Sequence, residues 1–598
     1  MASTPAPLLP VADRGRPLPA SHAQRGMWLA QEVAGHENRS LTAVHSYRLT
    51  GPLDLDALRT ALDVLVARHE VLRTGFALRE GELHQVIGAP AGLDTAVVDT
   101  AGGAELTALV RAVADTPFDL GRGPLLRVRL FRLDADTHVL CAVFHHIAND
   151  GWSMDVFHRE LAALYGAAAD LPGVSDPATL ADLADLDELA VQYPDFAVWQ
   201  HARAQDPGTH ADALAYWRTR LADAPPLLLL PTDKPRADVR WGAGDRVGFR
   251  IPAETAERAA KAASAHGTTL FTFQYAAFQA LLAAWSGQTD VVTGITTANR
   301  TLPETEPLIG FFVNVLPLRS AYRPAISFAE FLTETAASLI DAYRHEALPF
   351  ELLLEHLDTP RAAGHNPLVQ VTVASHQELT VPLSLPGLGV EYLSPERLDV
   401  QEDMTLYLTS TEAGTRGDLD FRTDLFERST VAALAEAYLR FMGLAAEDPT
   451  TTLGTLAARA DLPGRAAGDP TPPRDRRAAG DPASPRDGRP AAAAPDSAPA
   501  GDDPLTSPTE RLVAGVWQDI LGCGPLGPDD VFFKNGGTSM AASLVANRLS
   551  EQFGPGVTVR ARDVFLHSRL GALAARLDEL AAETTAASGR GTAAGSAR

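Results

Sequence analysis

The sequence predicts an α/β protein followed by a small helical bundle, and three observations support this prediction. Strand-like and helix-like apolar patterns run without a long break from about residue 16 to residue 448. A segment without any large apolar residue follows at 463–504, and apolar residues recur at helical spacing beyond it. Because 598 residues are too many for one ordinary domain, we expect folded regions joined by a linker.

Composition and charge exclude several classes of function. Hydrophobic residues make up 45% of the chain and charged residues 21%, as in globular domains with real cores. The net charge of −24 argues against nucleic acid and against an anionic membrane surface as partners. The sequence shows neither the apolar stretch of a signal peptide nor a run near the ~18 residues of a membrane span. Cys141 and Cys523 are too few for a disulfide framework or a zinc cluster, so we expect a soluble, cytoplasmic protein without a metal.

A pair of histidines follows a strongly apolar segment in the first region. Residues 138–144 form a nearly continuous apolar run, which is typical of a strand buried on both faces. His145 and His146 come directly after it. Because successive strand residues point to opposite faces, one histidine should face a channel and the other the fold. A histidine pair alone is more often structural than catalytic, so a catalytic interpretation needs support from the surrounding residues.

The residues after the histidines predict a strand–loop–helix junction. Asp150-Gly151 is a turn signal, and Ser153 can cap a helix that carries apolar residues at helical spacing. Loops held by regular elements are a usual place for an active site.

Seven segments resemble, in order, the motifs of nonribosomal peptide synthetase condensation domains. They lie at 21–28, 68–74, 145–151, 193–199, 309–319, 348–351 and 365–368. The resemblance implies two chloramphenicol-acetyltransferase-like lobes in a V, with a catalytic histidine in a tunnel between them. We place a flexible N-terminus at 1–15, the N-terminal lobe at 16–185 and the C-terminal lobe at 186–455. The family usually has arginine where this chain has Gly26, which should alter only local packing.

The resemblance also implies roles for the histidine motif. The family reaction is attack of an amine on an acyl thioester, which requires orientation, a path for the amine proton and oxyanion stabilisation. His146 is the expected proton-transfer or positioning group, with His145 beside it, and the Gly151 N–H is the candidate oxyanion donor. Asp150 is also assigned to the catalytic motif. Its expected role is structural, with Arg300 as the cation that a buried carboxylate needs.

The segment at 463–504 predicts a disordered linker. It contains only Ala, Gly, Pro, Ser, Thr, Arg and Asp, and so cannot bury enough apolar surface to offset its ordering entropy. A unit at 505–581 follows, with a capping-box signal at 507–510 and a helix expected from about Ser539 to Phe553. The tail at 583–598 is expected to be disordered.

Residues 529–540 resemble the attachment signature of a peptidyl carrier domain, a four-helix bundle. The paired glycines before Ser539 allow a tight turn, and Ser539 then opens a helix. A serine in that position is, by itself, more often only a helix cap. The resemblance implies that Ser539 carries 4′-phosphopantetheine, added by a phosphopantetheinyl transferase.

Together, the two resemblances imply a condensation–carrier didomain enzyme of secondary metabolism. It would form an amide between a carrier-bound acyl donor and an amine acceptor held on a phosphopantetheine arm. No adenylation motif is recognisable, so we expect the chain to be loaded by an adenylating protein in trans. We also expect that it is a monomer and that an upstream carrier delivers its donor. Two alternatives stay open: the same scaffold could form an ester or use a free amine or alcohol, or it could be a non-catalytic docking platform with an active carrier.

Overall fold

The computed structural model divides the chain into two units, Met1–Ala467 and Gly468–Arg598, which we describe separately. The residues that it describes are 9–34, 39–174, 176–206, 208–236, 242–357, 365–377, 382–393, 398–411, 414–464, 505–535, 537, 539–553, 557, 559, 563–564 and 567–593. Most of the predicted linker therefore lies outside the described residues, as does the first half of the predicted N-terminal segment. Within the described ranges, no helix is long and apolar enough to cross a membrane.

The strands and helices of the first unit alternate along the chain, as the sequence predicts. The strands are β1 (Leu18–Pro19), β2 (Thr42–Thr50), β3 (Thr74–Arg79), β4 (Glu82–Ile87), β5 (Val97–Asp99), β6 (Leu126–Arg132), β7 (Thr137–His145), β8 (Gly242–Ile251), β9 (Asp290–Thr297), β10 (Asn314–Ala321), β11 (Val371–Gln377), β12 (Gly389–Leu393), β13 (Leu398–Val400), β14 (Met404–Thr411) and β15 (Gly414–Arg422). The helices are α1 (His22–Ala34), α2 (Leu55–Arg68), α3 (Gly103–Asp115), α4 (Gly151–Asp170), α5 (Pro177–Leu183), α6 (Tyr193–Gln205), α7 (Ala211–Arg220), α8 (Ala253–Ala265), α9 (Leu270–Ser286), α10 (Phe328–Arg344), α11 (Phe350–Glu355), α12 (Arg428–Glu447) and α13 (Leu453–Ala460).

A five-stranded sheet, in the order β12-β2-β7-β6-β5, holds the histidine motif. Its central strand β7 is buried from His138 to His145, which confirms the buried strand predicted there. Strand β12 is a difference from the simple division into lobes at residue 185. It comes from the later half of the chain but pairs with β2, with Tyr392 opposite Tyr47. This pairing covers a sheet edge that would otherwise present unpaired backbone groups.

A seven-stranded sheet, in the order β10-β9-β11-β14-β15-β8-β13, forms the second half of the unit. One face packs on the largest apolar core, to which Leu406 and Leu419 belong. Because strand residues alternate, the intervening positions lie on the opposite face, and there they are polar. Tyr407 stands opposite Asp418 in the β14–β15 pair, and Thr405 stands opposite Asp420.

The second unit is helical, as predicted. Its helices are α14 (Pro508–Leu521), α15 (Ser539–Phe553) and α16 (Leu570–Ala593). The expected capping box is present, because Ser507 Oγ accepts from Glu510 N at 2.9 Å and Glu510 Oε2 accepts from Ser507 N at 2.8 Å. Helix α15 has the bounds that the sequence predicts.

Two other expectations for the second unit meet the structure only in part. Residues 554–569, where the fourth helix of the bundle would fall, are described only at scattered positions. At the C-terminus, α16 continues to Ala593, although we expect disorder from residue 583. The alanine-rich composition explains this difference, since alanine has the highest helix propensity. Residues 594–598 lie outside the described ranges.

Candidate active site

His146 lies where β7 ends and a short 3₁₀ turn begins. Its backbone N–H donates to the Leu41 carbonyl at 2.7 Å, and its carbonyl accepts from Asn149 N at 3.2 Å. The residue is partly accessible to solvent although it lies deep in the protein, as expected for a side chain that lines a channel. Burial lowers the pKa of His146, while a hydrogen bond with the Asn149 backbone and the charge of Asp150 oppose this shift. The imidazole is therefore neutral around pH 7 and able to accept a proton.

His145 faces the fold. Its side chain is buried, its Nδ1 accepts from Ile147 N at 3.1 Å, and its ring packs edge-on against Phe118 at 5.9 Å. Burial lowers its pKa to about 3, with a smaller contribution from His146. The two histidines thus differ in exposure, as strand alternation predicts, and His145 supports the loop rather than lining the accessible side.

Asp150 and Arg300 form a fully buried ion pair. Arg300 Nη2 lies 3.0 Å from Asp150 Oδ1, and both side chains are only 1% exposed. The Arg300 Nη1 group donates to the carbonyls of Thr305 and Leu308. The guanidinium also stacks on the ring of Phe312, 4.1 Å from its centroid. The partner that the sequence predicts for Asp150 is therefore present, and the arginine is held from several sides.

The same carboxylate caps α4. Asp150 is the residue before the helix, and its Oδ1 accepts from Ser153 N at 2.8 Å. The prediction that Ser153 caps this helix is therefore wrong, because Asp150, three residues earlier, supplies the acceptor. Both residue types suit a cap, so composition alone does not distinguish them.

Ser153 instead joins the histidine motif to a segment of the later half of the chain. Its Oγ lies 2.7 Å from Asp150 Oδ1, 2.9 Å from the Gly310 carbonyl and 3.0 Å from Gly310 N. Phe312 N donates to Asp150 Oδ2 at 3.1 Å. We did not predict this role of Ser153. The only signal in the sequence was the spacing, because Ser153 follows Asp150 by three residues and that is the distance from a helix cap to the N–H it binds.

Gly310 allows the close approach of this segment. A Cβ atom there would overlap the ring of Tyr193, so a larger residue does not fit without rearrangement. Tyr193 OH donates to the Phe311 carbonyl at 2.6 Å and lies 2.8 Å from Ser21 Oγ. Ile309 N also lies 3.4 Å from His69 Nδ1, and Phe350 N donates to Asn314 Oδ1 at 2.9 Å. The structure thus brings together six of the seven segments that resemble the family motifs, namely those that begin at residues 21, 68, 145, 193, 309 and 348.

Gly151 is the first residue of α4 and is exposed. The first N–H groups of a helix have no partner within the helix and carry partial positive charge. This placement is compatible with the predicted oxyanion role, which stays a prediction.

Gly26, where the family usually has arginine, packs against Glu351. A Cβ atom at Gly26 would lie 3.0 Å from Glu351 Cγ, so a larger residue needs that side chain to move. The neighbouring Arg25 pairs with Glu355 at 2.9 Å. Burial raises the pKa of Glu351 to about 7.

In the second unit, Ser539 is the first residue of α15. A Cβ atom at Gly537 would overlap the buried ring of Phe532, so the turn before the serine requires a glycine at that point. Phe532 in turn packs on Trp517 with 5.0 Å between ring centroids. A helix N-terminus favours a phosphate group, so this position fits a phosphate-linked cofactor. The preceding Gly536 and Thr538 lie outside the described residues.

Two family models match the chain. The condensation-domain model matches residues 16–461, well over half of the sequence, and the phosphopantetheine attachment-site model matches residues 511–577. The second match shows that this part of the chain is of the type that carries 4′-phosphopantetheine.

Curated relatives are large synthetases. Chondramide synthase cmdD of Chondromyces crocatus is 37% identical over 463 residues, which cover 76% of this chain and 11% of that protein. Phosphinothricin tripeptide synthetase PhsC of Streptomyces viridochromogenes is 36% identical over 466 residues, which cover 76% of this chain and 42% of that protein. The chain therefore spans less than half the length of either relative.

A solved structure with a similar fold is the X-domain from teicoplanin biosynthesis. It matches with a TM-score of 0.68 and 30% identity, covering 75% of this chain and 99% of the X-domain chain. A second structure shows the X-domain in complex with OxyB and matches with the same TM-score and identity over 76% of this chain and 99% of that one.

We predict that Asp150→Asn lowers the free energy of unfolding of the first unit by about 3 kcal/mol. The substitution leaves the Arg300 charge buried without its counter-ion, which is strongly destabilising. Urea unfolding measures the change. Arg159→Gln, at an exposed position of α4, is the control and should change stability by less than about 0.5 kcal/mol. An Asp150→Asn protein as stable as the wild type would contradict the structural role.

We also predict a pH-dependent effect of His145→Gln. Glutamine can still accept from Ile147 N but does not titrate. In the folded wild type the pKa of His145 is near 3, below the unfolded value of 6.5. The unfolded state therefore binds more protons below pH 6.5, and the wild type loses stability there as the pH falls. The stability difference between the two proteins should shift in favour of the variant by up to about 1.4 kcal/mol per pH unit below 6.5. A difference that stays constant between pH 7.5 and pH 5 would show that His145 titrates normally in the fold.

Proposed function

Since the chain belongs to the condensation-domain family of nonribosomal peptide synthetases, we propose that it forms an amide between a carrier-bound acyl thioester and an amine acceptor. The observation that carries this proposal is the state of His146: it is neutral, partly accessible and fixed at the end of a buried strand. A phosphopantetheine attachment domain in the same chain supports a tethered acceptor.

The proposed reaction needs only proton transfer and charge stabilisation from the protein. The amine nitrogen attacks the thioester carbonyl carbon, a C–N bond forms and the C–S bond breaks. The unprotonated ring nitrogen of His146 accepts the amine proton, or holds it by a hydrogen bond, until it passes to the leaving thiolate. The N-terminus of α4, beginning at Gly151, presents partial positive charge beside the motif, where oxyanion charge would develop. When bound at Ser539, 4′-phosphopantetheine supplies a thiol that holds a substrate as a thioester.

The ion pair beneath the motif serves the reaction indirectly. The side chains of Asp150 and Arg300 are only 1% exposed, so neither side chain can contact a substrate in this arrangement. They fix the start of α4 and, with it, the loop that follows His146. We therefore assign them a positioning role.

The partners follow from the proposed reaction. A phosphopantetheinyl transferase would modify Ser539, an adenylating protein would supply the activated acceptor, and an upstream carrier would deliver the donor. The relatives are named as synthetases of natural products, and we place the chain in secondary metabolism on that basis. The free thiols of Cys141 and Cys523 are compatible with the cytoplasmic location that we expect.

A docking platform is the second candidate function. The observation that favours it is the similarity to the X-domain, which has been solved in complex with OxyB. Such a role would depend on the surface of the first unit and not on His146.

We predict that Ser539 is the single attachment site. Incubating the full chain with coenzyme A, Mg²⁺ and a broad-specificity phosphopantetheinyl transferase should add one phosphopantetheine, measured by intact mass. Ser539→Ala should gain no mass, whereas Ser507→Ala, at the start of another helix of the same unit, should be modified like the wild type. An unmodified wild-type protein, or modification of Ser539→Ala, would contradict the assignment.

A further inference from the structure

A histidine outside the motif, His45, lies on the sheet face of Ala142 and Phe144, and His146 follows Phe144 by two residues. His45 stands opposite Ala142 in the β2–β7 pair, and side chains two and four residues further along a strand share its face. The centroid of the His45 ring lies 6.1 Å from that of Phe144 and 6.4 Å from that of Tyr392. Its Nδ1 atom is buried and has no hydrogen-bond partner among the described residues. Burial, and to a smaller extent neighbouring histidines, lowers its pKa to about 3, so the ring is neutral.

The polar face of the seven-stranded sheet supplies the second part of the feature. Asp420 on this face is paired with Arg246, whose Nε and Nη2 lie 2.5 and 2.8 Å from the two carboxylate oxygens. Asp403 is paired in the same bidentate way with Arg236. These two acids are therefore neutralised by the protein itself.

Glu402 differs from its acidic neighbours. No lysine or arginine in the described part of the chain forms an ion pair with it, and it is partly accessible although it lies deep in the protein. The Thr405 hydroxyl forms a hydrogen bond with its carboxyl. Burial, with the neighbouring charges of Asp403 and Asp420, raises the pKa of Glu402 to about 7. An approaching cation would favour the ionised form.

Two contacts place Glu402 near the histidine motif. The adjacent Gln401 donates from Nε2 to the Ser40 carbonyl at 3.3 Å. The next carbonyl along the chain, that of Leu41, accepts from His146 N at 2.7 Å. One short segment before β2 is thus held by Gln401 on one side and by His146 on the other.

One arginine, Arg246, lies near an aromatic side chain of each sheet. The Arg246 guanidinium lies 5.9 Å from the ring centroid of Tyr407. The charge of Glu402 helps to raise the pKa of Tyr407, and the charge of Arg246 opposes this shift. The Arg246 charge also opposes the rise in the pKa of Tyr392, which belongs to the five-stranded sheet and whose ring contacts His45. Tyr392 is 45% exposed, so part of its ring is free for a ligand. We call His45, Tyr392, Tyr407 and Glu402 the polar cluster.

We propose that the polar cluster recognises an alkylammonium or guanidinium group on a substrate of the condensation reaction, with Glu402 as the counter-ion. Glu402 is a carboxylate without a protein cation in the described residues, and its charge reaches the partly accessible ring of Tyr407. A carboxylate and an aromatic ring together have the chemistry that binds organic cations. The neutral His45 offers a further hydrogen-bonding position. The proposal rests on the proposed function, and it names the substrate class: an amino acid or acyl group with a basic side chain.

Binding of stable substrate analogues tests the proposal without turnover. The probes are lysyl and norleucyl pantetheine analogues in which an amide replaces the thioester, titrated calorimetrically into the full chain. The wild type should bind the lysyl probe about tenfold more tightly, as expected for one charge-assisted contact. Glu402→Gln should lose this preference and keep its affinity for the norleucyl probe. Glu351→Gln is the matched control, because Glu351 is another deeply placed carboxyl with a pKa near 7, and it should keep the preference.

Thermal unfolding would show whether Glu402→Gln has a folding defect, and a second variant tests the proposal in that case. Tyr392→Leu changes a half-exposed ring and should weaken binding of the lysyl probe selectively. Equal affinities of the wild type for the two probes, no measurable binding of either probe, or an unchanged preference in Glu402→Gln would overturn the proposal. Loss of the preference in Glu351→Gln alone would also overturn it. Failure of the proposed function is seen separately, in the absence of Ser539 loading or of acyl transfer.

Discussion

The buried ion pair between Asp150 and Arg300 is the interaction on which the site depends. One carboxylate caps α4, accepts from a backbone N–H near Gly310 and neutralises a guanidinium that is itself bound by two carbonyls. Removing two charges from water is costly, and such a pair is tolerated when the remaining hydrogen-bonding positions are filled. Here most of them are filled, and the groups that fill them come from both halves of the first unit. The loop that carries His146 is therefore fixed by residues far away in sequence.

The deeply placed carboxylates of the first unit differ in whether an arginine neutralises them. Asp150, Asp403 and Asp420 each have an arginine partner, and their roles are explained by the fold. Glu402 has no such partner in the described residues but remains partly accessible. Burying an uncompensated carboxyl is unfavourable, and the substrate cation that we propose would supply the missing counter-ion. The same reasoning distinguishes His146, which is accessible, from His145, which is enclosed.

The parts of the fold that could be predicted from sequence are those that local patterns specify. The apolar run of β7, the capping box at Ser507 and the bounds of α15 depend on neighbouring residues, and all three are present. The Asp150–Arg300 contact was inferred from family resemblance, since no local rule connects residues 150 positions apart. The long-range features were missed for the same reason. The pairing of β12 with β2, the contact of Ser153 with Gly310 and the position of Glu402 are set by tertiary packing and leave no periodic signal.

Single-turnover acyl transfer by the loaded chain tests the central claim most directly. The full chain would be charged at Ser539 with a lysyl group from lysyl-coenzyme A, mixed with a soluble acyl-pantetheine donor, and followed by intact mass. The account predicts that the wild type gains the acyl mass, that His146→Ala is slower by at least about 100-fold because proton transfer is lost, and that His266→Ala, at an exposed position, matches the wild type. Transfer at the wild-type rate in His146→Ala, or no transfer in any protein, would contradict the account.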